Sequence, residues 1–133
     1  MRYTSHMEAI AAKAARHEFK AARDENGIPH VEAPDWLTAL YAWGYMHAID
    51  RPTQLNFARA IAGGQATERI SNKPELLEMD LFLRRAALYR DLEREIRRLS
   101  DSVHEQLDWY CQGVNDGLVD AGRTLPMWVT GFQ

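Results

Sequence analysis

The fold is decided by residues 35–51, which read Asp-Trp-Leu-Thr-Ala-Leu-Tyr-Ala-Trp-Gly-Tyr-Met-His-Ala-Ile-Asp-Arg. Asp35 suits the N-cap of a helix, because its carboxylate can accept hydrogen bonds from the free backbone amides of the first turn. Large or apolar side chains then recur at three- and four-residue spacings, at Trp36, Leu40, Trp43 and His47. This spacing is typical of one helical face, so the stretch predicts a buried helix with its tryptophans in the core.

The rest of the chain downstream predicts further helices. Pro52 has no backbone N–H, so the first helix should kink or restart there within a helical segment of about residues 35–62. Apolar spacing predicts a second helix over about 75–99 and a third over about 102–121. The third begins with Ser102-Val103-His104-Glu105, which has the pattern of a capping box.

Upstream of these helices, residues 17–33 favour a β-hairpin. Asn26-Gly27 supplies the positive φ angles of a tight turn, and Pro29 pushes Ile28 toward extended geometry. Residues 1–16 are Ala-rich and have few large apolar side chains, which predicts an arm or a weak helix. The fold class is therefore α+β, mostly helical with an N-terminal hairpin, and residues 17–133 are expected to form one domain.

Composition narrows the classes of partner. The chain has 133 residues, 46% of them hydrophobic, and a net charge of −3. It lacks the positive field that gathers nucleic acid, and no apolar run approaches the roughly 20 residues of a membrane span. The single cysteine excludes an intrachain disulfide and a CxxC pair. The start lacks the apolar core of a secretory signal, which favours the cytoplasm, or the periplasm or exterior if a signal was removed.

The histidines invite a metal hypothesis. His47 and Asp50 are three residues apart on one predicted helix, but no third ligand follows at a recognisable spacing. We interpret the pair as a polar group that orders the helix end, and we assign no metal. His17 and His30 could face each other across the hairpin, where a histidine is usually a packing or surface residue.

Four arginines need explanation, because some of them flank apolar sequence. They are Arg51, Arg59, Arg84 and Arg85, and their plausible carboxylate partners are Asp50, Glu68 and Asp80. An internal ion-pair network that locks helices together is favoured over recognition of an acidic substrate. No set of residues assembles a nucleophile, an activating base and an oxyanion donor, so no catalytic residue is assigned to this chain.

Taken in order, the motifs resemble the opening section of the penicillin acylase family. Arg23 to Val31 is similar to that family's strand-turn-strand entry, and Gly44 to Arg51 is similar to its central helix signature. Tyr110, Gly113, Val114 and Asn115 match four positions of the family's Tyr-Ala-x-Gly-Val-Asn pattern. The matching positions, which the resemblance marks as structural, are Gly27, Pro29, His30, Gly44, Asp50, Arg51, Gln54, Arg59, Gly64, Glu68, Asp80, Arg84, Arg85, Gly113 and Asn115.

The resemblance covers about Phe19 to Pro126, ending at the family's Leu-Pro exit. This sequence departs from the family pattern at Pro52, which stands where an aliphatic residue is usual. It also departs at Ala60, in place of a second arginine, and at Thr67, in place of a small residue. These departures affect local helix geometry.

The resemblance implies a precursor that cuts itself into α and β chains, which together form the αββα sandwich of an N-terminal-nucleophile hydrolase. A Ser, Thr or Cys at the start of the β chain attacks the amide carbonyl, with its own α-amino group as the base. That nucleophile is not expected on this chain, which begins with Met1. No cofactor is required; some members bind calcium, for which no site is assignable here.

The implied partners are the β chain, in an αβ heterodimer or a larger assembly, and a small-molecule amide. The substrate could be a β-lactam side chain, an N-acyl homoserine lactone or an acylated peptide. Family α chains generally run past the Leu-Pro exit into a helix that lines the acyl pocket, so the acyl group is not readable here. The alternatives are a non-catalytic helical interaction module and a self-sufficient metal hydrolase centred on His47 and Asp50.

The hairpin leads to a first prediction. Two short strands are marginally stable alone, so they should complete a sheet supplied by a partner, and the separated chain should expose apolar surface. A dye that fluoresces on apolar surfaces should therefore bind the separated chain strongly. Weak dye binding, measured beside a monomeric protein of similar size, would contradict this expectation.

Overall fold

The computed structural model describes residues 18–87 and 90–122. The fold class is confirmed, since the described chain is mostly helical and begins with a two-stranded antiparallel hairpin. In chain order the elements are β1 (Lys20–Arg23), β2 (Pro29–Glu32), α1 (Trp36–Asp50), α2 (Pro52–Ala62), α3 (Ala66–Arg69), α4 (Pro74–Ala86), α5 (Leu92–Ile96) and α6 (Asp101–Ala121). None of the helices in the described ranges has the length and hydropathy needed to cross a bilayer. The predicted N-terminal arm, residues 1–16, lies outside the described residues.

The chain divides into two compact units. The first unit contains the hairpin, α1 and most of α6, from the segments Met1–Asp50 and Ser102–Asp120. The second contains α2 to α5, from the segments Arg51–Asp101 and Ala121–Gln133. A single domain over residues 17–133 stays a prediction.

The hairpin turn is built as the Asn-Gly pair predicts. Gly27 has a φ of 79°, a left-handed value that favours glycine. One carboxylate oxygen of Asp24 accepts the backbone N–H groups of Asn26 and Ile28, both at 2.9 Å. The paired residues of the two strands are Lys20 with Glu32, Ala21 with Val31, Ala22 with His30 and Arg23 with Pro29.

Helix α1 begins where the sequence predicts but buries a different face. Asp35 caps it, accepting the Thr38 backbone N–H at 2.8 Å and the Thr38 hydroxyl at 3.0 Å. Trp36 and Trp43 are 60% and 53% exposed, so the prediction that the tryptophans lie in the core is wrong. The buried positions are Thr38, Tyr41, Ala42, Gly44, Tyr45, Met46 and Ala48.

The hairpin decides which face of α1 is buried. Phe19, just before β1, packs edge-on against the rings of Tyr41 and Tyr45, with centroid distances of 6.2 and 5.9 Å. Ala21 and Ala33, from the two limbs of the hairpin, pack against the same cluster. Helix α1 has apolar residues on both sides, and the tyrosine side is the one covered by the hairpin and by Trp109 of the C-terminal helix.

Helix α1 also packs against α6, and the two helices approach so closely that their backbones are in contact. A Cβ atom at Gly113 would collide with the backbone oxygen of Tyr41, and one at Gly44 would collide with that of Tyr110. A Cβ at Gly117 would lie 2.7 Å from the Tyr45 oxygen. The two helices therefore touch through glycines, and any side chain at these positions would force them apart. Gly113 and Gly117 are the buried residues of α6.

Two helix boundaries differ from the sequence prediction. The helix does restart at Pro52, as predicted, because Pro52 is the first residue of α2 and follows the N-cap Arg51. The single helix predicted over 75–99 is wrong, because α4 ends at Ala86 and Ala87 adopts a left-handed φ of 55°. The apolar spacing continues across this break and concealed it. Ser102 lies inside α6, where its hydroxyl accepts a hydrogen bond from the Gln106 side chain, so it does not act as the predicted cap.

The glycine contact predicts the effect of a single added methyl group. Replacing Gly113 by Ala should destabilise the chain by about 1 to 3 kcal/mol or more, because the new Cβ meets backbone that cannot rotate away. Helix propensity alone predicts the opposite sign, a gain of roughly 1 kcal/mol. The control is Gln112→Ala at the exposed neighbouring position, which should be nearly neutral in chemical denaturation. A Gly113→Ala variant more stable than the parent would refute the close contact.

Candidate functional site

Several of the motif positions singled out from the sequence lie in hydrogen-bonded clusters, and each cluster joins different elements of the chain. Asp50 belongs to a cluster at the end of α1. The Arg23 guanidinium bonds to the Asp50 carboxylate and also donates to the Gly27 carbonyl at 2.8 Å. The partner of Asp50 is therefore an arginine of the hairpin, which sequence reasoning missed, while Arg51 is an exposed N-cap residue. This cluster ties the hairpin turn to the helix end.

His30 lies beside the same turn. Its Nε2 atom is 3.3 Å from the Asp24 carboxylate, and its side chain is 66% exposed. The backbone N–H of Ile28 holds the pKa of Asp24 below its usual range, opposed by partial desolvation and assisted by the His30 ring. Asp24 is thus an anion that organises the turn. His17, the other histidine considered for this hairpin, lies outside the described residues.

His47 is part of a hydrogen-bonded chain between α1 and α6. The Trp43 indole N–H, which can only donate, bonds to His47 Nε2 at 2.7 Å. Nε2 is therefore the unprotonated nitrogen, and Nδ1 carries the proton that is shared with the Tyr110 hydroxyl at 3.0 Å. Burial raises the pKa of Tyr110, with a smaller contribution from Cys111. Both ring nitrogens of His47 already have partners inside the chain.

Metal binding was weighed for His47 and Asp50. In the described ranges, no group of three or more His, Cys, Asp and Glu side chains is placed to hold a metal ion. Asp50 is bonded to Arg23 and His47 to Trp43 and Tyr110. Both residues are therefore bonded within the first unit.

The other side of the helix pair carries two tyrosine-carboxylate bonds. The Tyr41 hydroxyl donates to Asp116 at 2.7 Å, and the Tyr45 hydroxyl donates to Asp120 at 2.8 Å. Burial, followed by the bond to Asp120, raises the pKa of Tyr45 above its ordinary value, so it remains a donor. Sequence reasoning missed this pairing. The signal that could have revealed it is that the tyrosines and the aspartates are both four residues apart, as are Gly113 and Gly117.

A second cluster lies in the second unit, around Asp80. This carboxyl group is 3% exposed and accepts the backbone N–H groups of Ala66 at 2.9 Å and Thr67 at 2.8 Å, which open α3. Burial alone would raise the pKa of Asp80. The two backbone donors and the charge of Arg84 outweigh burial and hold it below the usual range. The direct partners of Asp80 are therefore backbone amides, whereas the sequence predicted an ion pair.

Arg84 joins this cluster to the turn before α3. Its Nε donates to the Gly64 carbonyl at 2.7 Å, and its Nη2 lies 3.1 Å from Glu68. Gly64 has a φ of 60°, and an added Cβ would approach the Arg84 side chain to 2.8 Å. Glycine is required here both by its backbone angle and by space. Gly64, Glu68, Asp80 and Arg84, predicted from separate motifs, thus meet at one place.

The remaining motif positions are not drawn into these clusters. Gln54, Arg59, Arg85 and Asn115 are all exposed. Arg59 and Arg51 were considered as buried arginines in need of carboxylates, and their exposure removes that need. The roles of these five exposed positions stay predictions.

With this geometry in place, comparison with known proteins defines first the fold and then the family. The structure matches a thermostable penicillin G acylase from Alcaligenes faecalis with a TM-score of 0.74 and 24% identity, over 86% of this chain and 63% of that chain. That likeness shows the fold of a penicillin G acylase chain. The family model for penicillin amidase matches residues 19–133, so this chain belongs to the penicillin amidase family.

Curated relatives agree with this assignment. An acyl-homoserine lactone acylase of Pseudomonas aeruginosa and a penicillin acylase 2 proenzyme of a Pseudomonas species are each 34% identical over 79% of this chain. A penicillin G acylase of Escherichia coli is 31% identical over 86% of it. The chain spans only 12 to 13% of the length of these relatives.

The Asp80 cluster predicts a pH-dependent stability. Because the pKa of Asp80 in the folded chain is below its ordinary value of 3.8, its stabilising effect is fully present above that value. The effect is lost as the pH falls through the lower, folded-state pKa. An Asp80→Asn variant should lose about 1 to 3 kcal/mol of unfolding free energy at neutral pH, since its amide group faces a backbone donor.

The measurement is chemical denaturation of the parent and of Asp80→Asn from pH 7 to pH 3. The difference in unfolding free energy between the parent and Asp80→Asn should become smaller at the acid end of this range. Glu78→Gln, at an exposed position of the same helix, is the matched control and should show little effect. A gap that stays constant with pH would mean that the Asp80 charge is not what stabilises α3.

Proposed function

We propose that this chain is the α-chain portion of an autoprocessed amidohydrolase that removes an acyl group from a linear amide. The observation that carries the proposal is the match of the penicillin amidase family model to residues 19–133. A relative that is named a proenzyme supports a precursor that is processed into chains. The partner in this proposal is the β chain of the same precursor.

The names of the relatives share one class of reaction, the removal of an acyl group. They are acylases of penicillin or of acyl-homoserine lactones. In the proposed reaction, the nucleophile at the β-chain N-terminus adds to the amide carbonyl, and the amine leaves with a proton. Water then hydrolyses the acyl-enzyme to a carboxylic acid and restores the nucleophile. Backbone donors of the β chain would stabilise the oxyanion.

The described residues support a framework role for this chain. Polar groups singled out in the sequence make internal bonds: His47 bridges Trp43 and Tyr110, and Asp80 caps α3. Asp50 joins α1 to the hairpin. A chain whose buried polar groups hold its own helices suits the task of positioning a catalytic partner.

The proposal predicts where activity resides. The 133-residue chain alone should release no amine from penicillin G or from N-acyl homoserine lactones of several chain lengths. The chain assembled with its β chain should hydrolyse at least one of them, measured with an amine-reactive fluorophore. The substrate that reacts would identify the acyl class.

Intact mass and N-terminal sequencing of the assembled protein provide the complementary test. A co-purifying larger chain that starts with Ser, Thr or Cys is expected. Amide hydrolysis by the separated chain would contradict the framework role. A stable monomer of 15.3 kDa that captures no second chain would favour the non-catalytic interaction module instead.

A further inference from the structure

Helix α4 in the second unit has an inward side and an outward side. The inward side contains a buried carboxylate and three partly buried apolar residues: Asp80, Leu76, Met79 and Leu83. At about 100° of rotation per residue, the residues on the opposite side of the helix are Glu78, Leu81, Phe82 and Arg85. All four of these are exposed. We call this set of four residues the outer face of α4.

The centre of the outer face is apolar. Phe82 is 68% exposed and Leu81 is 43% exposed, and the two residues are adjacent in the chain. Single exposed apolar residues are ordinary on a protein surface, whereas two large ones side by side leave a continuous apolar patch in water. Covering this patch with other apolar side chains would therefore be favourable.

Two opposite charges border this patch at equal distances. Glu78 is three residues before Leu81, and Arg85 is three residues after Phe82. With a rise of about 1.5 Å per residue, each charged residue is about 5 Å along the helix from the midpoint of the patch. Neither Glu78 nor Arg85 makes an ion pair with another described residue, whereas the neighbouring Arg84 does. The two charges of the outer face are therefore available to a partner.

The outer face complements itself when it is turned end to end. A two-fold axis through the midpoint of the patch, perpendicular to the helix, brings a second α4 alongside in the antiparallel direction. Glu78 of each copy then lies opposite Arg85 of the other copy. In the same arrangement, Leu81 lies opposite Phe82. A two-fold interface uses the same patch on both copies and must be self-complementary, and the outer face meets this condition. A parallel arrangement would place like charges opposite each other.

From these observations we propose that a second copy of this chain docks on the outer face of α4 in an antiparallel, two-fold arrangement. The equal spacing of opposite charges favours a copy of the same helix, because an unrelated partner has no need of this symmetry. One helix from each copy makes a small contact, below about 1,200 Å² in total, so the dimer is weak and reversible. The dimer goes beyond the proposed function and does not depend on it.

Sedimentation equilibrium of the 133-residue chain tests the proposal, over a concentration series from about 10 μM to about 1 mM, where weak interfaces associate. The mass should rise from 15.3 kDa toward twice that value. Arg85→Glu and Glu78→Arg should each raise the dissociation constant about tenfold, because each reversal places two pairs of like charges opposite each other. The double variant restores opposite charges at both pairs and should dimerise nearly as the parent does.

Further variants test the apolar centre and control for the change of charge. Phe82→Ala removes the central ring and should raise the dissociation constant at least about tenfold. Arg59→Glu makes the same change of charge as Arg85→Glu at an exposed position of α2, outside the outer face, and should dimerise as the parent does. Raised salt should weaken the parent dimer, because exposed charges are screened. Circular dichroism should show parent-like folding for every variant, since the substituted residues are exposed.

Four outcomes would overturn the proposal. The first is a parent chain that stays monomeric up to about 1 mM. The second is self-association that Arg85→Glu and Phe82→Ala leave unchanged, since another surface would then be responsible. The third is a double variant as weak as the single reversals, which would exclude the antiparallel register. The fourth is loss of the dimer when a β chain is bound, which would assign the outer face to that chain. None of these measurements involves amide hydrolysis, so the proposed function is tested separately.

Discussion

The backbone contact between α1 and α6 is the constraint on which the first unit depends. Gly44, Gly113 and Gly117 let the two helices approach until main chain meets main chain. Because the helices are this close, short side chains and hydroxyl groups reach across the pair. The bonds from Tyr41 to Asp116 and from Tyr45 to Asp120 span this helix pair. A larger residue at any of the three glycines would disturb the polar and the apolar contacts together.

The same contact divides the helix pair into two sides with different chemistry. One side is closed by the hairpin, with Phe19 against the tyrosines. The other presents two indoles whose N–H groups are already bonded. An exposed tryptophan is ordinary on a protein surface, but two ordered tryptophans at one helix junction form a rigid apolar surface. The helix pair thus has one side closed by the hairpin and one side with two exposed, hydrogen-bonded indoles.

The second unit is organised around the buried carboxylate of Asp80. Asp80 gives α3 the acceptors that its opening amides lack, and Arg84 fixes the preceding turn through the Gly64 carbonyl. Gly64, Glu68, Asp80 and Arg84 converge there. Each has a definite contact: Gly64 forms the turn, Asp80 caps α3, and Arg84 bonds to the Gly64 carbonyl and to Glu68.

The sequence by itself determined the elements whose signals are local. Asn26-Gly27 specified the hairpin turn, Asp35 the start of α1 and Pro52 the start of α2, because each acts through its own backbone geometry or nearest amides. The ordered motifs also indicated the family. By contrast, apolar spacing continued through Ala87 and failed to show the end of α4.

Only the tertiary structure decided which helix faces are buried and which residues pair. Helix α1 has aromatic residues on both sides, so periodicity could not choose between the tryptophans and the tyrosines; the hairpin and α6 together cover the tyrosine side. The partners of Asp50 and Asp80 are distant in sequence or belong to the backbone, and Tyr110, one of the two partners of His47, is also distant, so these contacts leave no local signal. Local rules act over a few residues, whereas burial depends on what the folded chain places opposite each face.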